Sequence, residues 1–292
     1  GRAIIENDKA YIFVDGRYTN QVNEQVDKNY FETKHIKDYW VYLKNYKKKN
    51  KIISLDIKLH SISEVEKMQN LYTNSSLDFI DNPIDLYWKN QPSYPNSKAF
   101  IHETKFSGES ALIKIKKIQE KLILKSLDYY LLTSLDSIAW LLNIRGNDIA
   151  NTPLVHSYVI IPQKGKIELF LNSKTNHLRD YFECIVNINK IDTIDFFINN
   201  IDIKKNIGMD EVSTSYYFKY ICIKRGILTN NFKDPCIYPK AIKNEIELAG
   251  ARKANIRDGI SLCKFLYWLK NQKDPSNIDE IKASEYLLNL RR

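Results

Sequence analysis

The chain has 292 residues, 43% of them hydrophobic and 27% charged, a balance ordinary for a globular protein and a length that admits two domains and part of a third. Its net charge of +9 raises a nucleic-acid or anionic-membrane partner, but a chain crowded with Ile, Asn, Lys and Tyr gains lysine by compositional drift alone. The dense basic run 44–51 reads as a solvated helix end and no apolar run reaches the roughly eighteen residues of a membrane helix, so neither partner is expected.

Residues 2–5 read as the middle of an element, so the start of the first domain is expected to be missing. Residues 11–14 make a mostly buried strand that Asp15-Gly16 turns off. A polar helix over 18–27, a short strand over 30–36 and a helix over 38–47 carrying Trp40, Val41 and Leu43 follow. Next come a strand at 51–56, a helix at 61–72 and a strand at 77–80. Ser63, with Glu66 three positions on, is expected to form the capping box of that helix. Asn82-Pro83 breaks the pattern, and the turn cluster 91–97 sets a first boundary just beyond it, near Phe106.

The second stretch opens on helix-start residues at 107–110, followed by a helix over 111–124 and a strand over 128–133. A helix over 135–144 and strands at 157–161 and 167–171 come next. Helices over 189–200 and 213–224 then lead to a second turn-rich stretch, 230–239. Strands alternating with helices predict an α/β fold with mixed sheets. The last segment differs. Ile242, Ile246, Ala249, Ile256, Ile260 and Cys263 recur at helical spacing, and Leu262, Leu266 and Leu269 widen the stripe. They predict an amphipathic helix of about thirty residues, closed by Lys273-Asp-Pro275 and followed by a helix over 279–290. So much apolar surface needs a partner that the remaining residues do not supply. The expected division is 1–106, 107–236 and 237–292, the last being the opening of a domain whose body is missing.

The first two parts echo each other. Ile12-Phe13-Val14 before Asp15-Gly16-Arg17 matches Leu169-Phe170-Leu171 before Asn172-Ser173-Lys174. At similar distance Ile53-Ser-Leu-Asp56 matches Ile207-Gly-Met-Asp210. A period this long indicates two related domains in tandem, since solenoid repeats are far shorter. The four cysteines, Cys184, Cys222, Cys236 and Cys263, form no CxxC pair. A reduced, cytoplasmic setting is therefore expected, with neither a disulfide framework nor a zinc knuckle.

Three stretches together resemble the three-domain Xaa-Pro aminopeptidases, relatives of prolidase and creatinase. They are Val14-Asp-Gly-Arg-Tyr18; Thr133-Ser-Leu-Asp-Ser-Ile-Ala-Trp-Leu-Leu-Asn-Ile-Arg-Gly-Asn-Asp148 with Ser157-Tyr-Val-Ile-Ile161; and Tyr238-Pro-Lys-Ala-Ile-Lys-Asn-Glu-Ile-Glu247 with Arg252-Lys-Ala-Asn-Ile-Arg-Asp258. The resemblance implies two creatinase-N-terminal-like α/β domains at 1–106 and 107–236, then at 237–292 the opening helices of a truncated pita-bread catalytic domain. It further implies a homodimer that removes the residue ahead of a proline in second position. Two divalent metals, usually manganese, would be held in the third domain by two Asp, one His and two Glu, hard ligands that share both ions.

The chain stops at Arg291-Arg292, ahead of those ligands. None of His35, His60, His102, His156 and His177 lies in a motif that replaces them, and no HExxH or Gly-rich phosphate loop occurs. The expectation is a fragment with no catalytic residue and no bound metal, inactive alone, supplying dimerisation and substrate-access domains. The alternative is a non-catalytic module that holds peptides or a protein partner on the same scaffold.

In related enzymes the arginine of the Asp-Gly-Arg-Tyr motif contacts substrate peptide, which makes Arg17 the candidate substrate-binding residue. An arginine fork on a tight turn reaches a carbonyl or carboxylate. The other reading of Arg17 is an ion pair with an acid of its own domain. Trp140 reads as core, and Arg145 sits where it complements the negative end of the preceding helix. His156 reads as a semi-buried structural histidine.

Overall fold

The computed structural model describes residues 1–46, 52–72, 77–172, 176–182 and 184–292. Most of the basic run 44–51, and Ser173-Lys174 of the second echo, lie outside the described residues. The chain divides into two compact units, Gly1–Pro92 with Ser215–Tyr217 and Ser93–Thr214 with Phe218–Arg292.

In unit 1, β1 (Arg2–Ile5) runs antiparallel to β2 (Ala10–Val14), and β2 runs parallel to β3 (Phe31–His35). Parallel neighbours need a crossover; a 3-10 turn at Gly16–Tyr18 and α1 (Thr19–Gln25) provide it. After α2 (Tyr39–Tyr46), a second crossover through α3 (Ile62–Leu71) joins the parallel strands β4 (Ile53–Leu55) and β5 (Leu77–Phe79). Ile62, Val65 and Met68 line one face of α3 and are buried together with Phe13, Tyr39 and Leu43. The Phe13 ring stands edge-on to Tyr39 at 5.3 Å, the arrangement that aromatic quadrupoles favour.

The capping box of α3 is Ser61 with Glu64, not Ser63 with Glu66. Ser61 Oγ accepts from Glu64 N at 3.3 Å, and the Glu64 carboxylate accepts from Ser61 N at 3.3 Å. Two Ser–Glu pairs share one spacing, and the extended backbone at Ser61 (φ −69°, ψ 160°) selects between them. A single turn, α4 (Ile84–Tyr87), follows Pro83.

Unit 2 begins with β6 (Phe100–Ile101), α5 (Thr104–Ser107) and α6 (Ala111–Leu124). It continues through β7 (Tyr129–Leu132), α7 (Leu135–Leu142), β8 (Ile144–Arg145), β9 (Ser157–Pro162) and β10 (Ile167–Leu171). Then come α8 (Asn176–Phe182), β11 (Val186–Asn189), α9 (Ile194–Asn199), β12 (Asn206–Met209), α10 (Tyr216–Arg225) and β13 (Leu228–Asn231). Six strands form one mixed sheet in the order β11-β10-β9-β7-β12-β13. Only β9 is antiparallel to both of its neighbours. Ile118, Leu122, Ile138, Leu142, Val159 and Leu169 are among the residues of its continuous core. β6 pairs with β8, which attaches 100–101 to this unit.

Two expected helices are shortened by their neighbours. Ile144 belongs to β8, because Asn143 turns left-handed (φ 52°) and ends α7. Residues 186–189 are a strand: Val186 and Ile188 point into the core, while the Asn187 and Asn189 amides both donate to Glu168 across the ladder at 2.7 Å.

The carboxy-terminal stripe forms α12 (Glu245–Lys270), preceded by the short α11 (Ile237–Ala241) and followed by α13 (Glu280–Arg291). Ile242 lies ahead of α12, which starts at the Asn244–Glu247 capping box. α13 leans on α12 through Trp268 stacked on Tyr286 at 3.9 Å and through Ser261 Oγ donating to Leu290 O at 2.9 Å. Ile256, Ile260 and Leu266 stay 65, 53 and 46% exposed.

The duplication is visible as topology. The order β1-β2-α1-β3-α2-β4-α3-β5 in unit 1 repeats as β9-β10-α8-β11-α9-β12-α10-β13, and the first pair of strands is antiparallel and the second and last pairs parallel in both. The echoed sequences fall on equivalent strands, β2 with β10 and β4 with β12. Asp56 and Asp210, after those last two, make the same turn, each accepting at 2.8 Å from the backbone N–H two residues on.

Candidate functional site

The turn that ends β2 presents Arg17 to solvent. Asp15 caps the 3-10 turn: its carboxylate accepts from Arg17 N at 3.0 Å, Nε at 3.0 Å and Nη2 at 2.8 Å. The hydrogen bonds from the Arg17 side chain, then that from its backbone, hold the Asp15 carboxyl down at about 2, and the same pairing raises the Arg17 guanidinium above its ordinary value. The guanidinium also lies 5.7 Å from the centre of the Tyr18 ring. Its side chain is 81% exposed, and a methyl group in place of the Gly16 hydrogen would meet nothing within 4 Å.

Both readings of Arg17 therefore meet in one geometry. The arginine is paired to an acid of its own unit, and it lies on an open surface. An ion pair so exposed adds little to folding. With Nε and Nη2 donating to Asp15, Nη1 is the edge that such a pair can offer to a carbonyl or carboxylate, with Asp15 as the competing acceptor.

The residues of the second motif serve unit 2 itself. Trp140 packs partly buried against the core. Arg145 Nη1 donates to Ala139 O at 2.7 Å and Ile144 O at 2.8 Å, neutralising the end of α7. His156 is half-buried, its N–H donating to Asp148 Oδ2 at 2.7 Å and its ring 5.1 Å from Tyr94.

Lys114 is the residue that the helical pattern passed over. It is 1% exposed, and its ammonium donates to Trp140 O at 2.9 Å and Asn143 Oδ1 at 2.8 Å while lying 4.6 Å from the Trp140 ring centre. Burial pushes its pKa down to about 8, against the opposing pull of Glu247 and Glu109. The signal was there: on α6 it shares the face of Ala111, Ile115, Ile118 and Leu122, a lysine inside an apolar stripe.

All four cysteines are free. Among the described residues no three His, Cys, Asp or Glu side chains gather as a metal site, and no helix is long and apolar enough to cross a membrane.

The family described as "Creatinase/Prolidase N-terminal domain" matches residues 90–247. The chain is 29% identical to the "Probable Xaa-Pro aminopeptidase P" of Podospora anserina over the whole of this chain and 46% of that protein. It is 30% identical to the "Xaa-Pro aminopeptidase 1" of Dictyostelium discoideum over the whole chain and 49% of the relative. It thus spans about half the length of the curated relatives it matches. The crystal structure of the X-prolyl aminopeptidase from Caenorhabditis elegans, described as a cytosolic enzyme with a di-nuclear active site, superposes with a TM-score of 0.86. That match has 23% identity and covers 99% of this chain and 49% of that one.

Proposed function

The chain belongs to the creatinase/prolidase N-terminal domain family, its curated homologues are Xaa-Pro aminopeptidases, and on that premise we propose that it is the peptide-steering part of such an enzyme. The whole protein would remove the residue ahead of a proline in second position, as a cytoplasmic homodimer. The division into 1–106, 107–236 and 237–292 belongs to the same proposal. What supports the reading is the match of the whole of this chain to Xaa-Pro aminopeptidases at 29–30% identity.

Two divalent metals, manganese by preference, would supply the attacking hydroxide in the whole enzyme. The described residues gather no donor set that fits such a pair, so no step through the metals is assigned to this chain's side chains. Its own contribution is binding. Arg17, paired with Asp15, donates from its Nη1 edge to a substrate carbonyl or terminal carboxylate.

The test is cleavage of a proline-second peptide in the presence of manganese. The 292-residue polypeptide alone should leave the peptide intact, and proline-specific cleavage by it would overturn the proposal. In the whole enzyme, Arg17→Ala should lower kcat/KM roughly ten- to a hundredfold, the worth of a charge-assisted hydrogen bond of about 1.5–3 kcal/mol. Arg17→Lys should not restore it, since lysine lacks the fork. If the whole protein binds the peptide but never cuts it, the non-catalytic binding module on the same scaffold takes its place.

A further inference from the structure

The repeat continues past its last strands. Ile80 N donates to Leu55 O at 3.1 Å as Phe232 N donates to Met209 O at 2.9 Å, which sets Asn82-Pro83 opposite Asp234-Pro235. Each pair leads into a short helix, α4 or α11, in the same way. Asn82 Oδ1 accepts from Ile84 N at 3.1 Å, and Asp234 Oδ1 accepts from Cys236 N at 2.8 Å. The copies differ in charge: unit 1 has a neutral amide, whereas unit 2 has a carboxylate that is 3% exposed. Counting on along both helices brings Trp88, half exposed, opposite Lys240. A buried anion and a cation thus enter unit 2 together, at two positions that are uncharged in unit 1.

Ser137 joins the two. It is fully buried on α7, and its hydroxyl donates to Asp234 Oδ2 at 2.5 Å. A hydroxyl has one proton to give, so toward Lys240 the same oxygen accepts, and the ammonium donates to it at 3.1 Å. The direction of the chain is therefore fixed, from Lys240 on α11 through Ser137 to Asp234. It runs on from Asp234 N to Asp210 Oδ2 at 2.9 Å, just past the end of β12. Lys240 also forms an ion pair with Asp136, the neighbour of Ser137. Lys121 is committed beside this chain, donating to Pro235 O at 3.0 Å. A buried carboxylate left without its cation costs folding heavily, so α11 is held where Lys240 reaches Ser137. The cap of α12 follows at Asn244, whose amide ties the other side of the elbow to Ser107 O at 2.8 Å.

We propose that Lys240 is a positioning residue: its bond to the Ser137–Asp234 pair fixes the direction in which α12 leaves the sheet of unit 2. The fold of the repeat does not require the charges, since unit 1 makes the same turn with Asn82 and no cation opposite it. What they add is a point of attachment for α11, the element directly ahead of α12. On the reading of 237–292 as the opening of the catalytic part, on which this role rests, α12 is the arm that carries that part. Lys240 then sets its alignment through Ser137 and touches no substrate itself.

Spin labels on the two exposed native cysteines, Cys184 beyond α8 and Cys263 on α12, read that direction in the 292-residue chain as a distance distribution. Lys240→Met should shift or broaden it, and Lys240→Arg should keep it. Adding Asp234→Asn to Lys240→Met recreates the uncharged pairing of unit 1. Urea unfolding should then recover most of the stability that Lys240→Met loses, because no carboxylate is left without its cation, while the distance stays altered. An unchanged distance in Lys240→Met overturns this role. So does a double variant in which stability and distance recover together, as they would for an ion pair that only supports the fold. In the whole enzyme Lys240→Met should lower kcat/KM on the proline-second peptide roughly ten- to a hundredfold, the scale of a misplacement of about 1 Å, and Lys240→Arg should retain activity. A Lys240→Met enzyme as active as wild type overturns the positioning role. A wild type that never cuts the peptide overturns the enzyme reading and the alignment with it, while the distance result still reports what Lys240 does to α12.

Discussion

Lys114 carries a positive charge where almost no water reaches it, held by two oxygens and a ring face. Its folded pKa is lowered to about 8 from 10.5 by burial, and the consequence has a definite sign. Below about pH 8 the ammonium is charged in both states and the cost of burying it is constant. Between about 8 and 10.5 the folded protein releases the proton first and the unfolded chain binds more, so this residue adds stability as pH rises. The thiol of Cys222, pushed up to about 12 by burial, works in the opposite direction once the unfolded thiol ionises. Comparing wild type with Lys114→Met by urea unfolding at pH 7.5 and pH 10 removes that common contribution. The wild type should gain on the variant as pH rises, and parallel curves would contradict the assignment. At pH 7.5 the variant should also be less stable by about 1–3 kcal/mol for each acceptor left unsatisfied. At this scale the sequence showed Arg17 for its motif and not for its partner Asp15. The two stand two residues apart, but only the 3-10 turn aims the carboxylate back at the fork.

Helix starts make the sharpest test between sequence spacing and geometry. Ser61→Ala should cost about 1 kcal/mol as a lost N-cap, while Ser63→Ala, at the second helical position, should stay within about half of that. Equal losses would contradict the observed capping box. The start of α12 depends on a close approach instead. Gly108 has φ +71°, and a Cβ there would come 2.4 Å from Asn244 Oδ1. Asn244 caps α12 and donates its amide to Ser107 O at 2.8 Å. Gly108→Ala should therefore add a lost cap, about 1 kcal/mol, to a left-handed strain of about 1–2 kcal/mol. Gly165, at φ +92° with nothing within 4 Å, is the control: alanine there should cost only the strain. Thermal unfolding of both variants, with proteolysis near 241–245, separates the two costs. The long periodic elements, α6 and α12, were legible because a 3.6-residue repeat over many turns has no competing reading. The short ones were not. Of β11, Asn189 falls in the helix expected over 189–200 and 186–188 carry no expected element, because a four-residue strand offers only two buried positions.

For the molecule as a whole, the apolar stripe of α12 is the largest consequence of sequence pattern. Ile256, Ile260 and Leu266 remain about half exposed or more, and contiguous apolar surface of that kind drives association. The 292-residue polypeptide should therefore self-associate as its concentration rises, as light scattering would show. Ile256→Lys with Leu266→Lys should suppress this without moving the unfolding midpoint, since exposed substitutions usually cost within about 0.5 kcal/mol; undiminished association would place the sticky surface elsewhere. The sequence by itself determined the α/β class, the amphipathic carboxy-terminal helix and the echo between the two parts. Each of these is a periodicity or a repeated word, written in neighbouring residues. Only the tertiary structure decided that the Arg17 fork meets Asp15 and that Lys114 is closed off from water. The first depends on the 3-10 turn that follows β2 and the second on how much water the packing around α6 leaves, and a residue pattern names both candidates without deciding either.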